Sequence, residues 1–267
     1  MALISASLVK GLNVRMMIDD SEIGYVTAMA NDTAKKIRLH ELVIDNGRSA
    51  SPFVWRVRYA LAHKGLEFES VRLGFIEIPA RFEGKFKTVP VLECGDAIMA
   101  ESWDIIEHLD QQFADRPALF SSPAELAMVR LTDSWFMTEV MRRMFRVYVK
   151  DLHDCIRPVD REYFRTSREK NMKGATLETF TADRAALLPV IRTALNPLRT
   201  HLAKSVWIGG SAPNFADYIV LSAFQWVGSV STLPLLAADD SLRAYIDRGF
   251  DLYGGLGREA PLQPLFE

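Results

Sequence analysis

One stretch decides the fold of the N-terminal half, and it reads Ser49-Ala50-Ser51-Pro52-Phe53-Val54-Trp55-Arg56-Val57-Arg58-Tyr59-Ala60-Leu61-Ala62-His63-Lys64-Gly65. Serine followed by proline is an ordinary helix start, because the hydroxyl accepts from a free backbone N–H and proline needs no partner there. Apolar residues then recur at helical spacing, at Phe53, Val57, Ala60 and Leu61. Gly65 stands where a helix C-cap is favoured. The stretch therefore predicts a helix with one apolar stripe.

Strand patterns lie on both sides of this helix. Ile37, Leu39 and Leu42 indicate a buried strand, and Asp45-Asn46-Gly47 then breaks the chain into a polar loop. Phe68–Leu73 is a second strand pattern after the helix. Two strands joined through a helix favour a parallel crossover.

A hairpin pattern follows, with strands at Val91–Cys94 and Ala97–Met99 around a tight turn at Gly95-Asp96. A further helix is expected to begin near Ser102. The order β-α-β then β-β-α predicts a mixed four-stranded sheet of the thioredoxin-like fold. The fold class is therefore α/β for residues 37–113.

Residues 114–123 concentrate proline and small polar residues between helical patterns, which is typical of an interdomain linker. Beyond them the helical candidates are Ala124–Lys150, Leu177–Ala203, Phe215–Val230 and Asp239–Tyr253. Asn214 stands three residues before Asp217, a spacing that suits a capping box. We therefore expect an all-α domain at 124–255 and a tail at 256–267.

Composition narrows the class of protein. The 267 residues are 49% hydrophobic and 25% charged, as in a globular chain, and the net charge of −2 with a pI near 6.2 predicts neither nucleic acid nor membrane as a partner. Two cysteines, Cys94 and Cys155, are too few for a zinc cluster, and the five histidines show no metal spacing. These features predict a cytoplasmic protein without a metal.

Residues 1–36 match none of these patterns. Met29-Ala30-Asn31-Asp32 would make a natural start just before the first strand, so we interpret 1–36 as an extension or a misassigned start. A targeting peptide is the rival interpretation, but Asp19, Asp20 and Glu22 are unusual in such peptides.

Three motifs together carry a family resemblance: the stretch 49–65, Thr88-Val89-Pro90, and Glu101-Ser102. They resemble the N-terminal half of the cytosolic glutathione transferases. The resemblance runs from Ile37 to Phe120 by motif and more loosely to Tyr253. Within the superfamily the chain is similar to the bacterial β-aryl-etherase and fungal etherase-like branch, through Ser-Pro-Phe-Val-Trp, Ala-His-Lys-Gly and the stretch Glu162–Arg168.

Ser51 is the candidate catalytic residue under this resemblance. A hydroxyl beside a helix N-terminus can donate a hydrogen bond to the glutathione sulfur and favour its thiolate. Capping alone also explains Ser51, and the two roles are compatible, since a hydroxyl both accepts and donates. Ser49 is the alternative donor.

The resemblance also implies where the rest of glutathione binds. A cis bond between Val89 and Pro90 would expose the Val89 backbone to the cysteinyl part, as in an added strand. Glu101 and Ser102 would receive the γ-glutamyl end, and Lys87, or Lys85, the glycyl carboxylate. Ile76–Arg81 departs from the family pattern by lacking a readily aligned second helix.

The electrophile is expected between the domains. Aromatic and thioether side chains follow one predicted helix, at Trp135, Met141, Met144, Phe145 and Tyr148. Most are expected in the core, with Met144 or Tyr148 as the candidates for substrate contact. The resemblance also implies a homodimer.

These expectations predict a glutathione transferase whose thiolate attacks an electrophilic carbon, with an aromatic ether as the candidate substrate. A glutathione-dependent isomerase or dehalogenase and a non-catalytic binding protein of the same fold are the alternatives. A thiol oxidoreductase is disfavoured, because its nucleophile would be a cysteine at the position of Ser51.

Overall fold

The computed structural model of the protein describes residues 36–267. Residues 1–35 lie outside the described residues, so the interpretation of 1–36 as an extension stays a prediction. Residues 36–267 belong to one compact unit.

A mixed sheet forms the centre of the N-terminal domain. Its strands are β1 (Ile37–Leu42), β2 (Glu69–Leu73), β3 (Val91–Cys94) and β4 (Ala97–Ala100). The order is β2-β1-β3-β4, with β1 and β2 parallel and the other two pairs antiparallel. Leu39 on the inner strand β1 pairs with residues of both β2 and β3 and is fully buried. The predicted thioredoxin-like fold is confirmed.

Three helices belong to this domain: α1 (Pro52–His63), α2 (Glu77–Arg81) and α3 (Ser102–Gln112). The turn residues behave as the sequence predicts, since Gly65 after α1 and Gly95 in the hairpin both have positive φ, +63° and +59°. The segment expected to lack a second helix holds α2, a short helix that buries Ile78.

The C-terminal domain is helical. Its helices are α4 (Pro123–Trp135), α5 (Arg142–Cys155), α6 (Arg161–Glu169), α7 (Leu177–Phe180), α8 (Arg184–Ala194), α9 (Asn196–Leu202), α10 (Phe215–Val230) and α11 (Arg243–Phe250). A π-helical segment, Phe136–Met141, joins α4 to α5. Short 3₁₀ turns lie at Pro158–Asp160 and Leu256–Arg258, and Leu252–Gly255 is a helical turn bent by left-handed residues.

The helical candidate Leu177–Ala203 holds three separate helices in the structure, α7, α8 and α9. Thr176 and Thr179 form a capping box that starts α7 separately. Pro197 lies in the first turn of α9, where its missing N–H is tolerated but where it interrupts the hydrogen bonds of α8. Helix α6 was not among the predicted helices, because its sequence is mostly polar and charged.

Helix α10 runs through the middle of the helical domain, and every one of its residues is buried. The predicted capping box at its start is confirmed, with Asn214 accepting from Ala216 N at 2.9 Å and Asp217 accepting from Asn214 N at 3.0 Å. The Asp217 carboxylate also accepts from Ile208 N at 2.8 Å, Gly209 N at 3.0 Å and the Tyr245 hydroxyl at 3.1 Å. One buried carboxylate therefore ties the preceding loop and α11 to the start of α10.

Helix α1 joins the two domains. It packs against α3 on its own side and against α10 of the helical domain, where the Tyr59 and Tyr218 rings stack with centroids 5.4 Å apart. Lys64, fully buried at its end, donates to Phe113 O at 3.2 Å and Pro117 O at 3.1 Å. The chain that leaves α3 is therefore held against the end of α1. The assignment of residues 114–123 as an interdomain linker stays a prediction.

None of the helices between residues 36 and 267 combines the length and the apolar character that a bilayer crossing requires. Within the same range, no three His, Cys, Asp or Glu side chains are grouped as a metal site would need.

Replacing Asp217 with alanine is expected to lower the free energy of unfolding by about 3 kcal/mol or more, because several buried donors lose their acceptor at once. Urea denaturation measures this. Asp251→Ala is the control, since Asp251 forms an exposed ion pair with Arg258 and should change the unfolding free energy by less than about 1 kcal/mol. Equal losses of unfolding free energy in the two variants would show that the hydrogen bonds of Asp217 contribute no more to stability than an exposed ion pair.

Candidate active site

A cavity of 350 Å³ opens between the two domains. The N-terminal domain lines it with the start of α1, the loop before β3 and the start of α3, through Ser51, Pro52, Phe53, Lys87, Thr88, Val89, Pro90 and Glu101. The helical domain contributes Met141, Phe145, Leu152, Arg168 and Trp226. The volume lies within the range of small-molecule sites, about 300–1,000 Å³.

Ser51 lies at the N-cap of α1 with only 6% of its surface exposed. Its Oγ accepts a hydrogen bond from Val54 N at 3.3 Å. Accepting that bond leaves the hydroxyl hydrogen to donate, and the free N–H groups of the helix start add partial positive charge at the same point. The start of α1 can therefore stabilise an anion in the cavity in two ways, through the Ser51 hydroxyl and through the backbone N–H groups of the helix.

The bond between Val89 and Pro90 is cis, as predicted. Pairing between β3 and its neighbours starts at Val91, so the Val89 backbone lies beyond the ladder and at the cavity. Its N–H and C=O are therefore placed to pair with an extended ligand backbone.

Glu101 stands at the N-cap of α3 with a left-handed backbone, φ +74°, and an exposed side chain that lines the cavity. A non-glycine residue in this region is uncommon and is often found at binding sites. Ser102, the first residue of α3, is buried and does not line the cavity. The helix start nevertheless brings its backbone N–H groups to the Glu101 side of the site.

Of the two candidate lysines, Lys87 lines the cavity and Lys85 does not. The Lys85 Nζ lies 5.2 Å from the centroid of the Phe86 ring instead. Ile78 of the short helix α2 also reaches the cavity wall.

Met144 and Tyr148, the candidates for substrate contact, are fully buried and are not part of the cavity wall. Tyr148 donates to Leu233 O at 3.3 Å, and burial raises the pKa of its hydroxyl. The structure places Met141 and Phe145 at the cavity in their stead. Met144 and Phe145 are neighbours in α5 and therefore point to different sides of the same helix, one toward the core and the other toward the cavity.

Trp226 and Arg168 are among the lining residues that were not predicted as site residues. Trp226 belongs to the apolar helix α10, where a core position and a cavity wall give the same sequence pattern. Arg168 lies on α6, and an arginine in a charged helix gives no local sign of a cavity position.

Ser49, the alternative donor, lies at a different cavity of 70 Å³ beside Trp55, Arg58 and Gln225. Its backbone carbonyl accepts from Trp55 Nε1 at 3.2 Å. The geometry therefore favours Ser51 over Ser49 as the hydroxyl of the larger cavity.

Comparison with known proteins gives the family. The model described as "Glutathione S-transferase, N-terminal domain" matches residues 47–117, and "Glutathione S-transferase, C-terminal domain" matches residues 127–233. Together the two models match more than half of the chain, in the order N-terminal then C-terminal domain, so the chain belongs to the glutathione S-transferase family.

Curated relatives match part of the chain. Glutathione S-transferase U1 of Arabidopsis thaliana is 34% identical over 104 residues, which cover 38% of this chain and 46% of the relative. Glutathione S-transferase Z1 of the same plant is 33% identical over 97 residues, covering 34% and 41%. The chain thus spans about half the length of the curated relatives it matches.

Solved structures share the fold over most of the chain. Glutathione S-transferase CsGST63524 of Ceriporiopsis subvermispora, solved with glutathione, has a TM-score of 0.67 at 20% identity and covers 73% of this chain and 86% of its own. Glutathione transferase GSTFuA3 of Phanerochaete chrysosporium has a TM-score of 0.65 at 23% identity and covers 83% and 92%.

A second Ser-Pro helix start gives a matched test of capping at Ser51. Ser122 caps α4 by accepting from Glu125 N at 3.2 Å, ahead of Pro123, but lies away from the cavity. Ser51→Ala and Ser122→Ala are each expected to lower the unfolding free energy by about 1 kcal/mol, measured by urea denaturation. A Ser51→Ala loss of several kcal/mol would show that Ser51 supports the fold beyond its cap.

Proposed function

We propose that the protein is a glutathione transferase in which Ser51 stabilises the glutathione thiolate. The observation that carries the proposal is the convergence of Ser51, the cis Val89-Pro90 bond and Glu101 at one cavity. Each belongs to a different segment of the chain, and each presents the chemistry that one part of the tripeptide needs.

The thiol must ionise for the reaction. A thiol with a pKa of about 8.5 is mostly protonated at neutral pH, and each unit of depression corresponds to about 1.4 kcal/mol in favour of the thiolate. The Ser51 O–H and the N-terminus of α1 supply this preference at a site shielded from water. Serine itself stays neutral.

The other contacts position the tripeptide. The Val89 backbone pairs with the cysteinyl residue, and Glu101 with the α-ammonium of the γ-glutamyl group. The N–H groups at Ser102 receive the α-carboxylate, and Lys87 the glycyl carboxylate. These positions are supported by the cavity wall for Val89, Glu101 and Lys87, and by the helix start for Ser102.

The reaction is a nucleophilic substitution at carbon. A C–S bond forms as the bond to the leaving group breaks, and the leaving group departs with the electron pair. For an aryl ether of the etherase-like branch, the leaving group is a phenolate and the other product a glutathione thioether. The apolar wall formed by Phe75, Met141, Phe145 and Trp226 supports an aromatic electrophile.

The same machinery would serve a glutathione-dependent isomerase or dehalogenase, and a binding protein could retain the fold. An electrophile panel separates them: an aryl ether, a chloroarene and an epoxide, each with and without glutathione, with products identified by mass. Glutathione thioethers support transferase chemistry. An isomer without a retained glutathione supports an isomerase, and glutathione binding without products supports a binding protein.

We also propose that the chain forms a homodimer in the cytoplasm, with domain limits at 37–113 and 124–255. Large apolar side chains exposed on β4 and α4 support the dimer, namely Ile98, Met128 and Leu131. Analytical ultracentrifugation tests it: a single species at the monomer mass of 30.1 kDa would contradict the proposal.

Ser51→Ala is expected to raise the pKa of bound glutathione by about 1–2 units, since a hydrogen bond to a charged group contributes about 1.5–3 kcal/mol. Because a raised pKa leaves less thiolate at neutral pH, kcat/KM at pH 7 should fall about 10- to 100-fold. The loss should shrink at higher pH. A pH titration of thiolate absorbance in the complex and the pH profile of kcat/KM measure both effects.

Two serine variants serve as controls for this titration. Ser122→Ala removes a similar helix cap without touching the cavity, and Ser49→Ala removes the alternative hydroxyl. Both should leave the thiol pKa unchanged. A shift that follows Ser49→Ala instead would move the role to Ser49.

Glu101→Gln is expected to raise the KM for glutathione about fivefold, the size of one partly exposed ion pair. A glutathione analogue that lacks the α-amino group provides the chemical control, because it has no ammonium to lose. Its KM should be the same with the wild-type protein and the variant. An equal rise for both tripeptides would contradict the contact between Glu101 and the ammonium.

A further inference from the structure

Arg168 brings a positive charge to the electrophile side of the cavity. It lies near the end of α6, is half-buried, and lines the cavity with apolar residues of the same domain. The other charged side chains of the wall, Lys87 and Glu101, belong to the N-terminal domain, where the proposed function uses them for glutathione. Arg168 has no role in that scheme.

The guanidinium of Arg168 has no carboxylate partner among residues 36–267. Its Nη1 donates a long hydrogen bond to the Ser167 hydroxyl, at 3.4 Å. Aromatic rings hold it instead, with the Phe164 centroid at 4.9 Å and the Phe75 centroid at 5.8 Å. Ring faces attract a cation but do not neutralise it, so part of its positive charge stays uncompensated.

Arg165, one turn earlier on the same helix, shows the usual arrangement. It pairs with Glu169 and Glu178, each at 2.8 Å, and the hydrogen bonds to these carboxylates raise its pKa. Burial lowers the pKa of Arg168, because no such anion offsets its desolvation. A desolvated cation without an anion is costly, and a ligand anion would remove that cost.

We propose that Arg168 determines specificity by receiving a carboxylate carried by the aromatic electrophile. This inference rests on the proposed function and names its substrate class. The planar guanidinium matches a carboxylate through two parallel hydrogen bonds. The substrate ring would lie against the surrounding apolar wall, with the reacting carbon toward Ser51.

The test uses two chloroarenes of nearly the same shape, 4-chloro-3-nitrobenzoate and its methyl ester. Each enzymatic kcat/KM is divided by the uncatalysed rate with glutathione, which removes differences in intrinsic reactivity. The wild-type protein should favour the acid. Arg168→Gln should lower kcat/KM for the acid about 10- to 100-fold, mainly through KM, and change that for the ester by about twofold or less.

Arg165→Gln is the matched control, since it removes the same charge from the same helix away from the cavity. It should leave the acid-to-ester ratio unchanged. Arg168→Lys keeps the charge without the planar fork and should retain part of the preference for the acid. Equal losses for acid and ester in Arg168→Gln, or an equal shift in Arg165→Gln, would overturn the inference.

The wild-type protein decides the matter if Arg168→Gln does not fold, because a normalised acid-to-ester ratio of one or less overturns the inference by itself. Turnover of the ester without preference for the acid would defeat the role of Arg168 and leave the transferase proposal intact. If neither the two chloroarenes nor any electrophile of the panel is turned over, both the role of Arg168 and the transferase proposal are wrong.

Discussion

The enclosure of helix α1 is the constraint on which the site depends. Three basic residues of α1 and its C-cap, Arg56, Arg58 and Lys64, are buried, and a buried charge is stable only when it is paired. The pairs reach three other elements: Arg56–Asp133 at 3.0 Å, Arg58–Glu41 at 3.6 Å and Lys64–Asp110 at 2.8 Å. Because these contacts fix the helix against β1, α3 and α4, they also fix the position of Ser51 at its start.

The two domains contribute different kinds of groups to the cavity wall. The N-terminal domain supplies polar groups held by backbone geometry: a capping hydroxyl, a free strand edge and a helix start. The helical domain supplies an apolar wall with one charged side chain. Backbone dipoles stabilise an anion best when the surrounding structure holds them in place. The shape of an apolar wall, by contrast, can be changed by substituting its side chains. Under the proposed function, this division lets one half that stabilises the thiolate serve different electrophiles.

Much of the N-terminal half could be predicted from the sequence. The first strand, the helix after Ser51 and the Gly95 turn depend on residues that are neighbours in the chain, whereas the cis Val89-Pro90 bond was implied by the family resemblance. The helical domain was predicted less well. The pattern Leu177–Ala203 did not show that it holds three helices, and the candidates for substrate contact, Met144 and Tyr148, lie in the core and not at the cavity wall. A helical period shows which residues share a face, but not whether that face meets the core or a cavity.

The sequence by itself determined the fold class, the helix start at Ser51 and the motifs that point to glutathione, because caps, turns and strand periods are local properties of the chain. Only the tertiary structure decided that the polar side of α1 is buried, that Ser51 and not Ser49 meets the larger cavity, and that Phe145, Arg168 and Trp226 form its far wall. These facts depend on how residues that are distant in the sequence pack together. The residues near a buried side chain in the sequence do not show which distant residue will pack against it.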